Sequence, residues 1–150
     1  MLFLTLFFIF TYGLALVKGR LFHETIVEEV KLSIKKANEP EYSYPTEFSL
    51  RFIGVALYLV ILTIILAVYL IKAISIDPFL YPTLSIIVVH FIGFISGNLL
   101  NKKYDLTDPK QASVKLSKAE KRHSVRRSVF NLIETSYFIY MFLVLIELIK

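Results

Sequence analysis

Residues 52–71 read FIGVALYLVILTIILAVYLI, a run of twenty residues without a single charged side chain. A helix of this length is about 30 Å long, which matches the hydrocarbon core of a bilayer. A helix on the surface of a soluble protein would instead carry polar residues along one face. Arg51 and Lys72 stand directly at the two ends of the run. The stretch therefore predicts a transmembrane helix.

Three further apolar blocks accompany this helix, in a chain that is 56% hydrophobic. The first carries its positive charges after the apolar stretch, opposite to a signal peptide, and is expected to be retained. Asp77 and Pro78 form a turn before the third block. Backbone groups in hydrocarbon must bond internally, so each block should be helical. The sequence predicts an all-α, four-span transmembrane bundle in one domain (1–150), with spans at about 2–18, 52–71, 79–100 and 129–149.

The positive charges predict the orientation of the bundle. Of the 17 Lys and Arg residues, all but Lys72 and Lys150 lie in or beside the loops at about 19–51 and 101–128. Short loops rich in Lys and Arg are retained in the cytoplasm. The prediction is a multi-pass protein of the plasma membrane, with both basic loops cytoplasmic and both termini outside.

Each cytoplasmic loop is expected to contain helix. Phe22, Ile26, Val30 and Ile34 recur every four residues and predict an amphipathic helix, lying on the membrane or packed on the second loop. In the second loop, Asp108 before Pro109 is a helix-start signal. Ser117 and Glu120 have capping-box spacing and predict a stronger start, from which a cytoplasmic extension would run without a break into the fourth span.

The third predicted span carries a polar and small-residue stripe on one side. Gly93 and Gly97 form a small-xxx-small pair that permits close helix packing, more plausibly within the chain than between copies. Such a stripe should face protein or water. Its members are Thr83, His90, Gly93, Gly97 and Asn101.

His90 lies near the middle of this span, where an ionisable group needs a partner. Glu134 or a tyrosine of the fourth span could supply one, and Glu134 could alternatively pair with Arg126 or Arg127 by snorkelling. Structural locking is the preferred interpretation over proton handling. The predicted intramembrane polar cluster comprises His90, Asn98, Asn131, Glu134, Tyr137 and Tyr140.

The basic second loop is expected to contact the anionic inner leaflet rather than nucleic acid, because no aromatic stacking platform is interleaved with its charges. The residues predicted for lipid contact are Lys115, Lys118, Lys121, Arg122, Arg126 and Arg127. The chain has no Cys and no closely spaced His pair, so no metal or cofactor site is predicted.

No catalytic or nucleotide motif stands in the sequence, and the expected function is therefore non-enzymatic. The preferred hypothesis is a small polytopic membrane protein that acts through contacts with another membrane protein or with itself, as an accessory subunit or as an inhibitor or immunity factor. The alternative is a small oligomeric proton- or cation-coupled transporter or channel using His90 and Glu134. A membrane-permeabilising protein is a third possibility that the sequence neither supports nor excludes.

Overall fold

A computed structural model describes the backbone of residues 1–99 and 103–147, and the side chains of these residues other than 94 and 96–99. The described part is all-helical and contains no strand. Its helices are α1 (Leu2–Lys18), α2 (His23–Asn38), α3 (Thr46–Ile74), α4 (Tyr81–Leu99), α5 (Pro109–Glu120) and α6 (Val125–Leu145).

Two stretches of the described chain are long and apolar enough to cross a membrane. One is α3, and the other is Pro109–Leu145, which comprises α5 and α6. The pair α1 and α2 would be a third if counted together, although residues 19–22 interrupt it. Helix α4 is apolar over Tyr81–Gly93. A helical membrane protein with two to three candidate spans is therefore the architecture that the fold supports.

The chain divides into two compact units, each described by itself. The first contains Met1–Gly19, Thr63–Asn101 and Ser124–Lys150, so it holds α1, the C-terminal part of α3, α4 and α6. Helix α6 is its centre, because both α1 and α4 pack along it. The sequence left the neighbour of the first span open, and the structure pairs it with α6.

An aromatic core joins the helices of this first unit. The Phe138 ring of α6 stacks on Phe8 and Tyr12 of α1, with ring centroids 4.8 and 5.5 Å apart, and meets Tyr69 of α3 edge-on at 5.3 Å. Phe8, Tyr69 and Phe138 are fully buried. The Tyr69 hydroxyl shares a 2.9 Å hydrogen bond with Thr5, which satisfies the one polar atom that the tyrosine buries.

Helix α4 runs antiparallel to α6. Thr83, near the start of α4, meets Tyr137, whereas Gly93, further along α4, meets Phe130, nearer the start of α6. Thr83 and Ile86 are buried on the same side of α4 as His90. The described part of the predicted stripe thus faces α6, as expected of a polar stripe in an apolar helix.

The second unit contains Arg20–Leu62 and Lys102–His123, in which α2 packs against α5. Val30 is buried within the predicted amphipathic face of α2. An ion pair of 3.2 Å joins Glu28 to Arg51, and another of 3.5 Å joins Glu24 to Arg122. The sequence allowed α2 either to lie on the membrane or to pack on the second loop, and in the structure it packs on the second loop.

The predicted continuous helix from Ser117 into the fourth span is wrong. Helix α5 begins at Pro109, where the Asp108 side chain accepts a 2.9 Å hydrogen bond from the Lys110 N–H, and it ends at Glu120. Residues 121–124 are not helical, and α6 starts afresh at Val125. Ser117 and Glu120 therefore lie in the last turns of α5. The backbone N–H groups there already bond within the helix, so a capping box has no free N–H group to satisfy.

Candidate functional site

His90 and Glu134 face each other across the α4–α6 contact. The His90 Nε2 atom lies 3.1 Å from Glu134 Oε1, and the Glu134 side chain is completely buried. The other ring nitrogen, Nδ1, lies 3.0 Å from the carbonyl oxygen of Ile86, which orients the imidazole. The Phe130 ring meets the imidazole edge-on with centroids 5.7 Å apart. The pair predicted from the sequence is therefore assembled.

The Glu134 carboxyl group lacks well-aligned hydrogen bonds. Among the described residues, neither carboxyl oxygen receives a hydrogen bond, even though Oε1 is within ion-pair distance of His90. The two groups are therefore close together without a hydrogen bond assigned between them. A buried carboxyl group with so few donors is costly when ionised. The pair can hold a proton on either side chain, which is the chemistry a proton relay requires.

An open cleft of about 730 Å³ borders the histidine. Its walls are mainly apolar. The polar part of the lining includes two arginines in the first turn of α6 and Ser124, the residue that precedes this helix. The volume falls in the usual range of roughly 300–1,000 Å³ for small-molecule sites. The lining residues are Thr63, Ile87, His90, Phe91, Gly93, Ser124, Arg126, Arg127 and Phe130.

A second polar network surrounds Asp77 in the turn between α3 and α4. Its Oδ2 atom accepts hydrogen bonds from the Thr83 N–H at 3.0 Å and the Thr83 hydroxyl at 2.7 Å. Its Oδ1 atom accepts from the Phe79 N–H and from the Tyr140 hydroxyl. The Thr83 hydroxyl also contacts the Tyr137 hydroxyl at 3.0 Å. Asp77 therefore caps the start of α4 and ties it to α6.

The Asp77 carboxylate is stabilised in its charged form. Burial by itself raises the pKa of Asp77, but the hydrogen bonds from Tyr140, Thr83 and Phe79 together outweigh it and hold the pKa below its usual value of 3.8. A depressed pKa means that the ionised group contributes stability above the usual pKa and that this contribution is lost as the pH falls through the lowered value.

Replacing Asp77 by Asn is expected to destabilise the fold by about 1–2 kcal/mol at neutral pH, because an amide cannot accept from all four donors. Below about pH 4 the difference between the two proteins should begin to shrink, because the carboxyl group of the unfolded chain then binds a proton, and it should be smallest once the pH has fallen below the lowered pKa of the folded carboxylate. Unfolding by SDS in mixed micelles, followed by circular dichroism across this pH range, measures both. A constant difference at every pH would contradict the role of the charged carboxylate.

The described residues of the predicted polar cluster do not form one group of contacts. His90 and Glu134 are paired, while Tyr137 and Tyr140 contact Thr83 and Asp77 instead of the histidine. Asn131 is buried one turn before Glu134. The side chains of Asn98 and Gly97 lie outside the described residues, as does Asn101.

Sequence reasoning treated Asp77 as a turn residue and missed its place in this network. The available signal was the stretch from Asp77 to Thr83, in which a carboxylate precedes the first turn of a predicted helix. Its Tyr140 partner lies 63 residues away, so no local pattern announced it.

Among the described residues, Gly93 lies beside an aromatic ring rather than beside the backbone of another helix. A methyl group added there would meet the Phe130 ring at 3.5 Å, which is an ordinary van der Waals contact. Replacing Gly93 by Ala is therefore expected to raise stability by up to about 1 kcal/mol, because alanine is the better helix former. The same SDS titration tests it. A clear loss of stability would indicate that a further helix packs closely at Gly93.

The residues predicted to contact lipid have mixed surroundings. Lys118 donates to the Tyr104 hydroxyl and Arg122 pairs with Glu24, so both have protein partners. Lys121 is exposed and Lys115 is half-buried. Arg126 and Arg127 line the cleft beside His90.

The comparisons with known proteins give no relatives. No protein family, curated protein or solved structure matches the chain. Among the described residues, no group of three or more His, Cys, Asp or Glu side chains is placed to hold a metal ion.

Proposed function

We propose that the chain is a non-enzymatic polytopic membrane protein that acts through protein contacts in the bilayer, either as an accessory subunit of a membrane complex or as an inhibitor or immunity factor. The observation that carries the proposal is the exposed apolar surface along the middle of α3, whose buried residues, such as Phe48, Tyr69 and Ala73, lie nearer its ends. Sustained helix packing in the described part joins α1 with α6, α4 with α6 and α2 with α5, and α3 has no comparable neighbour.

The exposed surface of α3 has the character of a helix-docking face. Ile53, Leu57, Ile61, Ile64 and Val68 recur at helical spacing, and between 48% and 58% of each residue is exposed. Small residues allow another transmembrane helix to approach, and the space beside Gly54 on the same helix is open. Lipid can also cover such a surface, so the test must distinguish protein from lipid.

A photo-activatable side chain at Leu57 in native membranes is the direct test. We expect a crosslink to one other protein in stoichiometric yield, which mass spectrometry would identify. The matched control places the same group at Ile139, an exposed residue of α6. Lipid adducts alone at Leu57, or the same set of proteins from both positions, would count against a partner on α3.

The proposed topology is four crossings of the plasma membrane, with both termini and the Asp77 turn outside and both basic loops in the cytoplasm. The charge distribution of the loops supports it. Within the first unit, the Thr5–Tyr69, Asp77–Tyr140 and Thr83–Tyr137 contacts are consistent with the start of α1, the α3–α4 turn and the C-terminal half of α6 sharing one end.

Cysteine labelling tests this topology without background, since the chain contains no native Cys. We expect Ser75→Cys to react with a membrane-impermeant maleimide in intact cells, and Ser43→Cys to react only after permeabilisation. Both serines are exposed. The reverse labelling pattern would invert the orientation, and labelling of both in intact cells would contradict the number of crossings.

The alternative function is proton- or cation-coupled transport by an oligomer. The specific observation in its favour is the buried Glu134 carboxyl group, 3.1 Å from His90 and without hydrogen bonds among the described residues. Four spans are few for a pathway within one protomer, so an assembly around a symmetry axis would be needed. Proteoliposome flux decides between the two. Flux that is unchanged in both His90→Ala and Glu134→Gln would remove this pair from any transport mechanism.

A further inference from the structure

We propose that the cleft between α4 and α6 is a binding site for one anionic membrane lipid, whose headgroup binds Arg126 and Arg127 and whose acyl chain lies along the apolar wall. This proposal rests on the proposed topology, which places the start of α6 on the cytoplasmic side, but it needs no partner protein on α3, from which only Thr63 contributes to the lining. It also differs from general attraction of the basic loop to the inner leaflet, since it uses two cations and a defined cavity.

The shape and chemistry of the cleft match an amphiphile. Along its length, Ile87, Phe91 and Phe130 supply apolar surface, and the cations stand where α6 begins. The cleft is open rather than enclosed, so a lipid can enter it without passing through the protein. Basic pockets between transmembrane helices on the cytoplasmic side are a known mode of anionic headgroup binding.

Charge complementarity selects an anionic occupant over an uncharged one. Guanidinium groups bind phosphate oxygens through two parallel hydrogen bonds, which a lysine cannot do. The described lining of the cleft includes two arginines and no acidic residue, and the first turn of α6 contains no acidic side chain. A zwitterionic lipid carries its own positive charge next to the phosphate and would gain less from the same pair.

The absence of tryptophan from the chain allows a clean fluorescence experiment. Phe91→Trp places a reporter in the cleft wall. Ile92→Trp places one on the next residue of α4, at nearly the same depth but outside the cleft lining. The two native side chains are similarly exposed, at 64% and 59%. The full-length chain is reconstituted in vesicles of phosphatidylcholine and phosphatidylglycerol, with bromine quenchers on only one lipid at a time.

At equal mole fraction, brominated phosphatidylglycerol should quench the Phe91→Trp reporter more strongly than brominated phosphatidylcholine, whereas the Ile92→Trp reporter should respond equally to both. Adding Arg126→Gln and Arg127→Gln should lower the preference for the anionic lipid by roughly tenfold or more. The matched control, Lys103→Gln with Lys110→Gln, removes the same charge from exposed residues outside the cleft lining and should leave the preference intact.

Three outcomes would overturn the proposal. Equal quenching of the Phe91→Trp reporter by the two lipids would mean that ordinary bilayer lipid fills the cleft. A preference that survives the two arginine substitutions would place the anionic contact elsewhere. Quenching of the Ile92→Trp reporter but not of the Phe91→Trp reporter, by either lipid, would show that protein covers the cleft, for example a second copy of the chain. The first comparison uses intact arginines, so it stands even if the arginine variant fails to insert.

Discussion

Truncating Phe138 to alanine is expected to destabilise the protein by about 2–4 kcal/mol. The ring is fully buried and contacts Phe8 and Tyr12 of α1 and Tyr69 of α3. In a bilayer the transfer of apolar surface contributes little, because lipid tails are as apolar as the core. The loss therefore comes from the cavity and from the three aromatic contacts. SDS unfolding in mixed micelles measures it.

The neighbouring residue provides the matched control. Ile139 is 46% exposed on the same helix, so Ile139→Ala also truncates an apolar side chain but opens no buried cavity. We expect a change of less than about 0.5 kcal/mol there, as for ordinary surface substitutions. Equal effects at the two positions would mean that the aromatic core does not hold α1, α3 and α6 together in the membrane.

Replacing His90 by alanine is expected to cost about 2–3 kcal/mol, because it leaves the buried Glu134 carboxyl group without its nearest neighbour. The upper range for breaking a fully buried pair does not apply, since 28% of the histidine side chain is exposed. Val88→Ala, on an exposed side of the same helix, is the control and should have little effect.

The double variant separates the pair from general packing. Adding Glu134→Gln to His90→Ala removes the unpaired acid and should recover a large part of the lost stability. The two substitutions would then be strongly non-additive in a double-mutant cycle, as expected for side chains in direct contact. If the two costs simply add, the 3.1 Å approach contributes nothing to the fold, and the transport alternative would lose its structural basis.

Several local features of the fold were predictable from short patterns. The Asp108–Pro109 signal correctly placed the start of α5, and the four-residue recurrence correctly predicted α2, on which Val30 is buried. These succeeded because capping and helical periodicity depend on atoms within a few residues of each other. Ser117 and Glu120 show the limit of such patterns, since the same spacing has no effect inside a helix that is already capped.

The site was predictable in part. The pairing of His90 with Glu134 could be predicted because each is an ionisable group in an apolar helix and therefore requires a partner. The structure places the two side chains together. The sequence interpretation offered Glu134 or a tyrosine of the fourth span as the partner of His90 and did not choose between them, because periodicity gives the face of a helix but not the level at which its neighbour meets it. The contacts of Tyr137 and Tyr140 with Thr83 and Asp77 depend on the register of α4 along α6.

The sequence by itself determined the helical, membrane-compatible character of the chain, because a charge-free run such as 52–71 has few stable alternatives to a helix in hydrocarbon. Only the tertiary structure decided that α1 packs on α6, that Asp77 reaches Tyr140, and that a cleft opens beside His90. These features arise from side chains far apart in the chain, and helix packing in lipid rests on shape and hydrogen bonding, which hydrophobicity does not encode.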